Sequence, residues 1–253
     1  MVKSMYKKQG GVSMRSSNPI LNSEQLTKAR HSEKAMTMGG TIRKALIALI
    51  MLIATAGYSY YLTVTGTLST KVFIGCLIFA FIIGLVTSFS PRIAPITTPI
   101  YAAVEGILIG NISAVYEATY GMIVLQAALL TIAIIAGTLI CYATGIVKVT
   151  HRFRSIVIGL TFGVLIFYLL TMILQLFHVP VPFMHQSGTI GLIVSLAILI
   201  IASLNLFLDF DLITSSIKHG APKHFEWYCA FGLLVTVIWI YVEALRFLSR
   251  LRN

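Results

Sequence analysis

The chain has 253 residues, of which 57% are hydrophobic and only 11% charged, and it carries a formal net charge of +11. A water-soluble domain carries roughly 25% charged residues to cover its surface, so this composition excludes an ordinary soluble domain and calls for lipid. The positive balance does not describe a nucleic-acid-binding patch. Nine of the nineteen Lys and Arg fall in the first 44 residues, and the others sit singly or in small groups between apolar runs, as they do in the cytoplasmic loops of membrane proteins.

Residues 1–40 read as a flexible, basic, cytoplasmic tail, rich in Lys, Ser, Gln and Asn and too poor in apolar residues to offset the entropy of ordering. The tail lacks the apolar core of a cleaved signal peptide, and Met14, opening the phrase MRSSNPIL, is an alternative start. Residues 41–253 form the expected transmembrane domain. A helix that crosses the hydrocarbon core needs about 20 mostly apolar residues. Seven stretches qualify: Ala45–Leu62, Val72–Phe89, Ile96–Val115, Tyr120–Ala143, Ser155–Phe177, Thr189–Phe210 and Trp227–Leu248. Their connections are short, so consecutive helices pack as antiparallel neighbours. The third span is the least regular, because Pro91, Pro95 and Pro99 precede its acid Glu105 and break helical hydrogen bonding.

Loop charge sets an expected orientation. With the N-terminus in the cytoplasm, the cytoplasmic loops hold Arg92, Lys148, Arg152, Arg154, Lys218 and Lys223, and the opposite loops hold only Lys71. Arg246, Arg250 and Arg252 conflict with this, since they would lie outside. Either the C-terminus tolerates that cost or one span is re-entrant; seven crossings are expected.

An ionised carboxylate near the bilayer centre costs about 2.5–3.5 kcal/mol by insertion scales, so it normally faces the bundle interior, a partner or water. The eight acids are therefore informative. Glu105 lies midway through the third span, just before Gly106 and Gly110, a GxxxG pair that lets another helix approach closely. It is either part of a protein-enclosed site or a protonated interhelical contact. Asp209 and Asp211 end the sixth span in NLFLDFDLI. Two positions are about 200° apart on a helix, so only one points inward. Asp209 shares a small, polar face with Asn205, Ala202 and Ser195 and is the inward candidate; Asp211 suits the solvated membrane edge. In the last span, Cys229, Thr236 and Glu243 repeat every seven residues, with Glu226 opening a similar face. Such a stripe suits a helix at the centre of a bundle, although Glu243 could equally pair with Arg246 or Arg250.

Nothing resembles catalytic machinery. His31, His151, His178, His185, His219 and His224 lie in loops or the tail, and no HExxH, GxSxG, phosphate loop or dinucleotide fingerprint occurs. Isolated loop histidines such as His178 and His185 are usually solvated. Cys76, Cys141 and Cys229 fall in apolar runs without zinc or redox spacing and read as small packing residues. No enzymatic activity and no resident cofactor are expected.

Several ordered segments together carry a resemblance: SNPIL, MTMGGTIRKAL, SPRIAPITTPIYAAVEGILIG, YGMIVLQAALLT, TGIVKVTHRFR, NLFLDFDLI and APKHFEWYCAFGLL followed by VIWIYVEALR. Over roughly residues 17–251 the chain resembles the Bax inhibitor (transmembrane Bax inhibitor motif) superfamily, in particular its bacterial branch. The resemblance implies an all-α integral membrane fold, a seven-transmembrane-helix bundle with the last helix central. Some members are pH-sensitive calcium leak channels gated by two aspartates on the last two helices. The first matches Asp209, in a D-x-x-x-I pattern ending at Ile213. Aligning the last helix between Ala230 and Arg246 puts Thr236 at the second, so the two-carboxylate proton sensor is not conserved as a pair.

These readings together imply a calcium leak channel or proton-linked cation permeation protein in the bacterial inner (plasma) membrane. Its expected partners are lipid, protons and transient Ca2+. Asp209 and Glu105 are weak calcium-ligand candidates, because calcium prefers several oxygen ligands. Asp211, Glu243, Asn205 and Thr236 are further ion-pathway or proton-sensing candidates, and Gly106 and Gly110 are packing residues. The alternative is a non-transporting regulator that contacts a membrane protease or stress protein.

Overall fold

In a computed structural model, residues 35–177 and 189–252 are described; residues 1–34 of the expected tail, with His31, and the loop carrying His178 and His185 lie outside them. Seven α-helices follow in order: α1 (Met38–Val64), α2 (Thr70–Phe89), α3 (Ala94–Tyr120), α4 (Ile123–Ala143), α5 (His151–Leu176), α6 (Thr189–Lys218) and α7 (Phe225–Leu251). Among the described residues, all seven are long and apolar enough to cross a membrane.

The proline-rich start of the third span resolves without a re-entrant segment. Pro91 opens a single 3-10 turn, Pro91–Ile93. Pro95 then sits in the first turn of α3, where its missing N–H would have had no intrahelical partner. The helix runs unbroken through Pro99. α1 begins at Met38, well before the expected Ala45. Thr37 makes this possible, because its hydroxyl accepts the Gly40 N–H at 3.0 Å and caps the helix.

α7 is the hub. It packs against α1, α3, α4 and α6, and 56% of its most apolar window is buried, against 17% for each of α1, α2, α4 and α5. α2 leans on α3, and α5 on α6; both present large apolar side chains such as Phe81, Ile82, Phe162 and Leu170 outward, as lipid-facing helices do. The most extensive pairing joins α1 to α3. A Cβ on Gly106 would collide with Thr55 and the Leu52 carbonyl, and one on Gly110 with the Ala56 backbone. The two glycines therefore fix the backbone approach that their spacing predicts.

The turn between α3 and α4 is tight. Gly121 (φ 53°) and Met122 (φ 55°) are both left-handed, and the Glu117 carboxylate accepts the Met122 N–H at 2.6 Å and the Val124 N–H at 3.0 Å. An acid from the end of one helix thus caps the start of the next. At the same end of the bundle, the C-terminal arginines that conflict with the loop-charge pattern are all engaged. Arg246 meets Glu243, Arg250 donates to the Gly191 carbonyl, and Arg252 donates to the Tyr120 and Gly121 carbonyls and to Gln126. Carbonyls at the end of α3 carry partial negative charge, which favours a guanidinium there. The seventh helix completes its crossing, and its basic end is stabilised by contacts.

Candidate functional site

Glu105 and Gly106 are neighbours on α3, so their side chains diverge by about 100°. With Gly106 pressed on α1, Glu105 turns towards α2, α6 and α7. There it lines a cavity of about 550 Å³ together with Asp209 from α6 and Gly232 and Thr236 from α7. Apolar side chains of α2, including Leu77 and Leu85, border it on the lipid-facing side, where both are exposed. Glu105 lies eleven residues into α3 and Asp209 nine residues before the end of α6, which is about 14–16 Å from the same face of the bundle. Both acids therefore lie within candidate membrane spans, towards the same end of the bundle.

The two carboxylates have few competing partners. Oδ2 of Asp209 is buried and accepts no hydrogen bond. The Thr236 hydroxyl faces the Asp209 carboxyl but donates to the Gly232 carbonyl one turn back, at 3.2 Å. A hydroxyl has one proton to give, so it serves one acceptor or the other. Gly232 keeps the space beside Asp209 open: a Cβ there would stand 3.7 Å from Oδ1. Tyr101, one turn before Glu105, is buried edge-on against Phe231 with ring centroids 5.0 Å apart. At the outer end, the Tyr228 hydroxyl donates to the Ser88 carbonyl at 3.4 Å, joining α7 to the end of α2 where both residues line the cavity.

The other sequence candidates lie elsewhere. Asn205 is one turn from Asp209, but its amide turns to α5, where Nδ2 donates to the Thr161 hydroxyl at 2.8 Å and Oδ1 accepts from it at 3.2 Å. It does not line this cavity. Asp211 is paired with Arg154 at the start of α5, so the solvated edge position expected of it is an interhelical ion pair. Cys229, Thr236 and Glu243 are all buried along α7, as the seven-residue stripe predicts. Glu243, however, lies about 10 Å further along the axis than Thr236 and outside the cavity. Its Oε1 accepts from the Tyr168 hydroxyl (2.7 Å), Arg246 Nη1 (2.8 Å) and Trp239 Nε1 (3.3 Å). Arg246 also donates to the Tyr168 hydroxyl at 2.7 Å, so the cluster fastens α5 to α7.

Sequence reasoning missed one charged cluster. Glu226, in the first turn of α7, is buried and lies 2.6 Å from Lys44 of α1. Its Oε1 also accepts from the Thr37 N–H and hydroxyl, each at 3.0 Å. Lys44 further donates to the Lys223 carbonyl at 3.4 Å and stands over the Trp227 ring at 5.6 Å. Any side chain at Gly40 would collide with the Glu226 carboxylate. Thr37-x-x-Gly40-x-x-x-Lys44 was the available signal: cap, gap and cation share one helix face.

Among the described residues, no group of three or more His, Cys, Asp or Glu could hold a metal ion, and Cys76, Cys141 and Cys229 are free thiols. The arrangement is thus a bundle of membrane-spanning helices with two acids lining one mostly apolar cavity, in a multi-pass membrane protein. Residues 18–253 match the sequence profile of the family described as Bax inhibitor 1 like, and the chain belongs to that family. No curated protein matches the chain.

Proposed function

We propose that this protein passes cations, calcium or protons coupled to calcium, through the α2–α3–α6–α7 cavity. The observation that carries the reading is the meeting of Glu105 and Asp209, from different helices, in one cavity within the bilayer. Buried acids in membrane helices mark ion paths because their burial is otherwise unfavourable. With two carboxylates and a hydroxyl, the site offers fewer oxygens than the six to eight of a tight calcium site. That sparse set suits transient passage, and the proposed role makes and breaks no covalent bond. We place the N-terminus in the cytoplasm on the strength of the loop charges, and the protein in a bacterial inner membrane on its resemblance to the bacterial branch of the family.

The test is calcium entry into liposomes containing the reconstituted full chain and a calcium dye. Asp209→Asn and Glu105→Gln should each slow entry by about tenfold, the factor given by about 1.4 kcal/mol of lost ion stabilisation. Wild-type flux equal to that of empty vesicles at neutral and mildly acidic pH would contradict the reading. Thr236, standing where related channels have a second aspartate, favours a second reading: a regulator of a membrane protease or stress protein. In-membrane crosslinking that recovers a stoichiometric partner, with no flux, would support it.

A further inference from the structure

A second cavity, of about 570 Å³, lies on the other side of α7. It opens between α1 and α4, which do not pack on each other. One wall is a single face of α1, with Leu49, Ile53, Gly57 and Tyr60. The facing wall is a single face of α4, with Val124, Ala128, Ile132 and Ile135. Ile53, Gly57 and Ile132 are exposed at the rim, and the floor is buried. No charged residue lines it among those described. The polar groups of the floor are largely self-satisfied: the Ser113 and Tyr241 hydroxyls bond each other at 2.8 Å, and Thr131 donates to the Ala127 carbonyl at 2.7 Å.

The dimensions match one leaflet of a bilayer. From Leu49 to Tyr60, and again from Val124 to Ile135, the walls run about 16 Å along the helix axes. One leaflet of the hydrocarbon core is about 15 Å thick, half of the whole. Tyr60 is near the end of α1 and Val124 at the start of α4, so the groove starts at one membrane face and runs to mid-depth. An apolar groove offers water few hydrogen-bonding partners, and leaving it empty forfeits dispersion contacts along every wall. At its outer end, the exposed Arg252 sits over Tyr120, Gly121 and Gln126. Those acceptors take three of the five N–H donors of the guanidinium, and the others remain for a phosphate at that end.

We propose that this groove seats one acyl chain of a glycerophospholipid from that leaflet, with its phosphate beside Arg252. The chain fills the gap between α1 and α4 as a wedge, distinct from the lipid that slides over the convex faces of α2 and α5. The proposal is independent of cation passage.

The test uses the full chain in nanodiscs containing a phosphatidylglycerol with a mid-chain diazirine. Photolabelling should concentrate on residues 49–60 and 124–135 over the equally apolar faces of α2 and α5. Gly57→Phe fills the groove from a position whose Cβ meets nothing within 4 Å. It should lower groove labelling about tenfold, leave α2 and α5 labelling unchanged and preserve the thermal unfolding midpoint. Arg252→Gln should weaken phospholipid retention in native mass spectrometry. Even labelling of all four helices, undiminished labelling in Gly57→Phe, or a retained mass that is an isoprenoid or peptide rather than a phospholipid would each overturn the proposal.

Discussion

Thr236 decides how this site differs from a two-carboxylate sensor. Its hydroxyl reaches towards Asp209 but carries one proton, which it shares between that carboxyl and the Gly232 carbonyl, and it brings no charge. The second acid of the cavity therefore comes from α3 as Glu105, not from α7. Thr236→Asp would bring a third carboxylate into the space and add oxygen ligands of the kind calcium favours. The ratio of calcium to sodium entry should rise in that variant; an unchanged ratio would separate Thr236 from the ion path. Glu226 and Lys44 are a different kind of pair, one that holds the start of α1 to the start of α7. Lys44→Met strands a buried carboxylate and should cost about 3 kcal/mol, the low end for breaking a buried pair. Glu226→Gln keeps an acceptor for Thr37 and should cost less. Thermal unfolding in detergent measures both, and the reverse order would refute the role given to Lys44.

Helix pairings follow from small residues more than from apolar ones. Large apolar side chains are as comfortable in lipid as in the bundle, so they do not choose partners. Gly106 and Gly110 do, because the α1 backbone occupies the space of their missing side chains. Gly110→Leu should separate α1 from α3 and lower stability by about 1–3 kcal/mol or more, as overpacking does. Gly159→Leu, on an open part of α5, should be neutral. Equal midpoints for the two variants would contradict this account. At this scale the sequence was partly legible. Hydropathy located every crossing, because the bilayer imposes a minimum apolar length. It misplaced the start of α1, because the turns beyond the hydrocarbon layer, capped by Thr37 and tied down through Lys44, carry no apolar signal. The GxxxG spacing announced a close contact but not its partner. The i,i+4 reasoning put Asn205 one turn from Asp209 but could not give the direction of its amide, which turns to the Thr161 hydroxyl on α5.

Across the whole molecule, α7 carries three polar stations. Glu226 binds α1 at one face, Thr236 stands beside the Asp209 cavity, and Glu243 binds α5 towards the other face. The period of the stripe was readable, and so was the central position it suits. The convergence of Glu105 with Asp209 was not, because it depends on the rotation of α3 that Gly106 and Gly110 fix against α1. Of the three stations, the outer two are bridged to other helices by cations and hydroxyl donors, although Oε2 of Glu243 accepts no hydrogen bond, and the middle one lines the cavity. A single route through that space makes a specific demand on coupled variants. Calcium entry into liposomes should fall in Asp209→Asn and in Glu105→Gln, and the double variant should be no slower than the slower single one, since residues acting in one path are not additive. Undiminished entry in the double variant, with loss in Glu243→Gln instead, would contradict the assignment of the ion path to the Glu105–Asp209 cavity.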